Sequence, residues 1–177
     1  MKYIDGGADI SACGKYRYSL WREWGGVDNT RAALKKSCLF IMLNPSTADS
    51  KTDDPTIRRC VSFAKSFGYD WLEVVNLFAF RATNPKQLLA LNHNDDPVGV
   101  RNQEVIEQAA SRAGIIIAAW GAHGSYLGQD ETVLDWIDEK VDLVHALGIT
   151  NEGHPRHPLY LRNGLEPFHY TGQVYTP

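Results

Sequence analysis

Apolar residues gather in four short, nearly unbroken runs along this chain: CLFIML from Cys38 to Leu43, LEVVNLF from Leu72 to Phe78, IIIAAW from Ile115 to Trp120 and LVHAL from Leu143 to Leu147. Runs of this length, rich in β-branched residues, predict strands covered on both faces. Between the first two lies DDPTIRRCVSFAKSFG, where Asp54 is placed to cap a helix, Pro55 suits its first position, and Ile57, Val61 and Ala64 recur at helical spacing before Gly68 ends it. A second helix is expected within Pro97 to Arg112. A third is expected from about Asp130 to Lys140, with Val133, Leu134, Ile137 and Val141 on one side, and a shorter one at Pro85 after Asn84. The turn residues Cys13-Gly14-Lys15, leading into KYRYSLW, predict an N-terminal hairpin or edge strand.

Strands alternating with helices imply right-handed crossovers. The expectation is therefore a single α/β domain over residues 1–177, three layers αβα, with a central, mainly parallel sheet of about four strands and the N-terminal hairpin or edge strand added.

Composition narrows the function classes. A hydrophobic fraction of 44% and a charged fraction of 22% are ordinary globular values, and no apolar window approaches a membrane span or a secretory signal. Three cysteines, Cys13, Cys38 and Cys60, lack CxxC spacing, which disfavours a disulfide framework or zinc ribbon and points to a reduced, cytoplasmic setting. A net charge of −3 argues against a surface dedicated to binding polyphosphate. Local basic groups remain at Arg58, Arg59, Arg156 and Arg162.

Ligands of open parallel sheets sit beyond the carboxyl ends of the strands. Four polar segments follow those ends: Leu43-Asn44-Pro45-Ser46, with Thr47 next; Asn76; Trp120-Gly121; and GHPRHPLYL from Gly153 to Leu161. Their convergence makes Phe40 to Arg59 the expected functional centre. Simpler roles stand beside the functional ones. Asn44 to Thr47 can be a turn, Asp53 and Asp54 helix caps, and Arg58 and Arg59 a solvated helix face rather than phosphate contacts. Asn76, a polar residue in an apolar strand, requires a partner, from the ligand or from the fold. His154 and His157 have HxxH spacing, but Pro155 disfavours a helical zinc pair, so no metal and no cofactor is expected.

The segments LNPSTAD, DDPTIRRC, VVNLFAFRATNP, AAWG and GHPRHPLYL, in this order, closely resemble the domain of unknown function 1643 family. More distantly, the layout resembles the uracil-DNA glycosylase superfamily. That resemblance implies that Asn44 holds the attacking water, that Asn76 bonds the edge of a pyrimidine, that Trp120-Gly121 closes a strand at the site, and that His154 or His157 stabilises the departing base. Asp49, Asp53 and Asp54 are carboxylates near the water position, and Asp49 joins Asn44 and the two histidines as a catalytic candidate. Pro45, Ser46, Thr47, Asn76, Phe78, Trp120, Gly121, Arg58 and Arg156 are the candidate substrate contacts, with Phe80 a further aromatic wall. Leu159 and Tyr160 stand where an apolar wedge is expected. The implied activity is hydrolysis of the N-glycosidic bond of a nucleobase in DNA or a nucleotide, with no membrane and no obligate protein partner. The alternatives are a non-catalytic nucleotide- or nucleic-acid-binding module, and a hydrolase or transferase acting on a phosphorylated small molecule.

Overall fold

A computed structural model describes residues 3–25, 37–92, 95–139, 141 and 143–172. The expected end of the third helix at Lys140 lies outside them. Seven strands form one sheet: β1 (Asp5–Ile10), β2 (Arg17–Glu23), β3 (Ser37–Met42), β4 (Trp71–Asn76), β5 (Ile115–Ala118), β6 (His145–Ala146) and β7 (Phe168–His169). Their spatial order is β1-β2-β4-β3-β5-β6-β7. The four apolar runs supply β3, β4, β5 and β6, and these neighbours pair in parallel. The hairpin β1–β2 adds to the β4 edge antiparallel, with Gly14 at φ 73° in its turn, where a glycine has no Cβ to clash. The antiparallel strand β7, on the far edge, carries no sequence signal beyond Phe168. LVHAL contributes only two residues to β6, held to β5 by the single pair Ile117 and His145.

Helix α1 (Pro55–Ser66) has the predicted bounds for the predicted reason: the Asp54 side chain accepts the Ile57 N–H at 2.8 Å and Pro55 occupies its first turn. The short helix α2 (Pro85–Leu89) opens with a capping box of Asn84 and Gln87. Helix α3 (Asn102–Arg112) begins five residues later than expected. Asp96 Oδ1 accepts the N–H groups of Val98 and Gly99 in a turn, and Gly99 has φ 86°, so the chain is not yet helical there. Helix α4 (Gln129–Asp138) is the last α-helix among the described residues.

Alternation along the strands divides the core. Leu39, Ile41, Val75, Ile116 and Ala118 join Ile106 and Ala109 of α3 and Val133 and Ile137 of α4 in one apolar cluster. Cys38, Phe40, Met42, Leu72, Val74 and Ile117 join Ile57, Cys60, Val61 and Ala64 of α1 in the other. The domain is thus a mixed α/β fold with apolar clusters on both faces of its sheet. The crossover from β3 through α1 leads to β4 on one side, and the next returns past β3 to β5 on the other. Chain ends diverge at the carboxyl end of β3, and a crevice opens there. Among the described residues, no helix is long and apolar enough to cross a membrane.

Candidate functional site

A cavity of about 680 Å³ occupies that crevice. Its walls come from four places. Met42 ends β3 and Leu43, Asn44, Ser46 and Thr47 follow it, while Asp54 caps α1 and Pro55 and Thr56 begin it. Trp120, Gly121, Ala122 and His123 follow β5, and Arg156, His157, Leu159 and Tyr160 come from the last predicted segment. Ala82, Thr83, Pro85 and Thr150 complete the lining.

Backbone bonds beyond the strand ends hold these loops in place. Leu77 and Phe78 donate to the carbonyls of Met42 and Leu43, and Ala119 donates to Ile41. Gly121 donates to Pro155 at 2.8 Å and Arg156 to Gly148 at 2.7 Å, which stitches the Trp120-Gly121 loop to the histidine segment. Gly121 takes φ 76°, a conformation strained for any residue with a Cβ. On the far side, the Arg59 guanidinium bonds Leu161 carbonyl and Asn163 Oδ1 and lies over the Phe63 ring, tying α1 to the chain after the 3₁₀ turn Pro158–Tyr160. Arg59 therefore has structural partners rather than a free head.

Asn44 spends both amide protons on the fold, donating to the carbonyls of Ala82 at 2.8 Å and Pro45 at 3.1 Å. Its Oδ1 is left as the acceptor. Pro45 itself is buried, accepts the Ala82 N–H at 2.9 Å and does not line the cavity.

Of the two candidate histidines, only His157 lines the cavity. His154 closes a turn instead: its N–H bonds Thr150 Oγ1 and its carbonyl accepts the Thr150 N–H. His157 Nδ1 accepts the Leu159 N–H at 3.3 Å, which leaves Nε2 to carry the proton in the neutral ring. Burial holds its pKa below the ordinary histidine value, with the Asp54 carboxylate opposing. The ring is therefore a neutral donor near pH 7.

The aspartates divide by environment. Asp49 Oδ1 accepts the Lys51 and Thr52 N–H groups at 2.8 Å each, and these two bonds hold its carboxyl below the usual range. It builds a turn and does not line the cavity. Asp53 accepts Arg22 Nε at 2.8 Å and the Tyr3 hydroxyl at 2.5 Å. Asp54 alone of the three faces the cavity.

Several expected contacts lie elsewhere. Arg58 points to the Asp53 carbonyl at 2.7 Å, Phe78 is fully buried against Tyr126, and Phe80 packs edge-on to Tyr16. None of these three lines the cavity. Asn76 does not line it either, and the partner expected for its side chain is missing: at 1% exposure, neither Nδ2 nor Oδ1 has one among the described residues. It pairs in register with Met42, which lines the cavity. Trp120 Nε1 is similarly unpartnered, with the Gly124 backbone pressed against its edge and Tyr170 packed on its ring.

Two residues that sequence reasoning passed over organise the site from below. Arg17 and Arg22, both on β2 and at most 2% exposed, reach under the loop after β3. Arg17 Nη1 donates to the Ala48 carbonyl at 2.7 Å, and Arg22 Nη2 to the Asp49 carbonyl at 2.7 Å. Burial pushes the Arg17 pKa down to about 10, the Asp54 charge opposing. The available signal was two arginines inside the otherwise strand-like KYRYSLWRE. Among the described residues no cluster of His, Cys, Asp or Glu is arranged to hold a metal ion, and all three cysteines are free.

No curated protein and no solved structure matches the chain. One family model does, over residues 17–159, a span that runs from buried Arg17 to Leu159 at the cavity rim. The chain belongs to the family described as Protein of unknown function (DUF1643).

Proposed function

We propose that this protein is a hydrolase that cleaves the N-glycosidic bond of a nucleobase, in DNA or in a nucleotide, on a three-layer αβα scaffold like that of the uracil-DNA glycosylases. The observation that carries the reading is the meeting of Asn44, Trp120-Gly121 and His157, from three separate segments, on one cavity. Breaking this bond develops positive charge on the sugar and negative charge on the departing base. It needs a held water, a donor at the base oxygen and walls that exclude other solvent. Asn44 Oδ1 suits the water, the neutral Nε2–H of His157 suits the base, and Met42, Leu43 and Trp120 suit the walls.

The test is to incubate the folded protein with oligonucleotides carrying uracil, modified bases or mismatches, and with free nucleotides, and to assay released base. Release from one class supports the reading; no release from any refutes it. A second reading, a nucleotide-binding module without catalysis, is favoured by the commitment of both Asn44 amide protons to backbone carbonyls. Titration with nucleotides and single-stranded DNA separates the two, since a module binds and leaves the ligand unchanged.

A further inference from the structure

We propose that Asp54 is the catalytic base of this cavity, taking a proton from the water that attacks the sugar carbon. The inference rests on the glycosidic-bond reading above and assigns the one step that reading leaves without an agent. Asn44 can hold water through Oδ1, but a neutral amide does not accept a proton at ordinary pH. Three carboxylates lie within a few residues along the chain, and two of them stay outside the cavity wall. Asp49 is bonded by two backbone N–H groups, and Asp53 is held between the Arg22 guanidinium and the Tyr3 hydroxyl.

Asp54 is different. Among the described residues it is the one carboxylate in the cavity wall, which it shares with Asn44 and His157. Its Oδ1 accepts the Ile57 N–H as the cap of α1, and no donor among the described residues engages its Oδ2. The residue thus caps the helix through one oxygen while it lines the cavity. Its charge acts on His157, which shares the cavity, and on Arg17 beneath the loop.

In the step itself, the C1′–N bond breaks with its electron pair leaving on the base, where the His157 Nε2–H stabilises the negative charge. Water oxygen forms the new bond to C1′ and gives one proton to Asp54 Oδ2. That proton returns through solvent to the departed base, so the products are the neutral base and the free sugar hydroxyl. Because the sugar is already cation-like when water arrives, the base has only to take a proton that the forming C1′–O bond has made acidic.

The cap role allows a clean separation. Asn and Ser cap a helix about as well as Asp, so Asp54→Asn and Asp54→Ser keep α1 while removing the base. On whichever substrate the wild type cleaves, both variants are expected to melt close to the wild type yet release base on the order of 10²- to 10⁴-fold more slowly. In Asp54→Gly, added formate should restore part of the rate by standing in for the lost carboxylate. A rate for Asp54→Asn within roughly threefold of wild type, with the fold intact, overturns the assignment, since a general base supplies far more than that. If wild-type protein cleaves nothing, the underlying reading fails and this role with it, an outcome plainly distinct from an active enzyme indifferent to position 54.

Discussion

Replacing Arg22 with methionine removes four hydrogen bonds from a residue only 1% exposed. Nε donates to Asp53 Oδ1 at 2.8 Å, Nη2 to the Asp49 carbonyl at 2.7 Å, and Nη1 to the carbonyls of Trp21 at 2.8 Å and Gly7 at 3.3 Å. Methionine roughly fills the arginine stem, so the cavity contribution is small. What remains is a carboxylate and three backbone carbonyls, one of them in the loop, stripped of that donor. Breaking a buried ion pair from one side costs about 3–5 kcal/mol. The Asp53 side chain is 13% exposed and keeps the Tyr3 hydroxyl, which places the cost at the lower end, about 3 kcal/mol. For a domain of this size each kcal/mol shifts the melting midpoint by about 2–4 °C, so Tm should fall by about 6–12 °C. Thermal melts followed by circular dichroism measure this, and a cycle with Asp53→Asn locates its origin. Neutralising Asp53 in the Arg22→Met background should recover part of the loss, with a coupling of about 1–3 kcal/mol. A melting midpoint within about 2 °C of wild type, or strict additivity in the cycle, would refute the view that this pair clamps the loop.

Three further outcomes are expected. Burial lowers the His157 pKa in the folded state, so between that value and about 6.5 the unfolded chain binds the extra proton, and stability present above about pH 6.5 is lost as the pH falls. His145 is shifted in the same direction, so His157→Gln should flatten, without abolishing, the decline of urea midpoints from about pH 7.5 to 5.5; an unchanged slope would remove His157 as a source. Gly124→Ala should destabilise by about 1–3 kcal/mol, because its Cβ would lie 1.9 Å from Cδ1 of the buried Trp120 ring; tryptophan fluorescence and Tm should shift together, and a silent substitution would contradict the packing. Asn76→Leu removes a buried amide that has no partner among the described residues and does not line the cavity, so the fold should be as stable as wild type or more so by about 1–3 kcal/mol; a loss of stability of that size would show that the amide is satisfied in the folded chain.

The elements of this protein are written locally. Asp54, Pro55 and Gly68 bound α1 within a single stretch of chain because capping and the φ preferences of proline and glycine act over one turn. The apolar runs mark β3, β4 and β5 because strands covered on both faces admit few polar residues. The direction of the parallel strands then locates the crevice, and Asn44, Trp120 and His157 were legible as residues at its edge. Long-range contacts chose among the chemically similar residues. His157 rather than His154 lines the cavity because the Gly121–Pro155 bond and the Thr150–His154 turn orient that segment. Asp54 rather than Asp49 faces it because β2, far away in sequence, sends Arg22 and Arg17 under the loop and occupies its other acceptors. Phe78, read from the sequence as a wall of the pocket, is taken by the core because the chain beyond β4 stays bonded to Leu43 and keeps that ring packed beneath Tyr126. A residue's type and the secondary structure around it are properties of a few neighbours along the chain. The face a side chain presents, and whether its hydrogen-bonding atoms are already spent, depend on segments that meet only when the sheet closes.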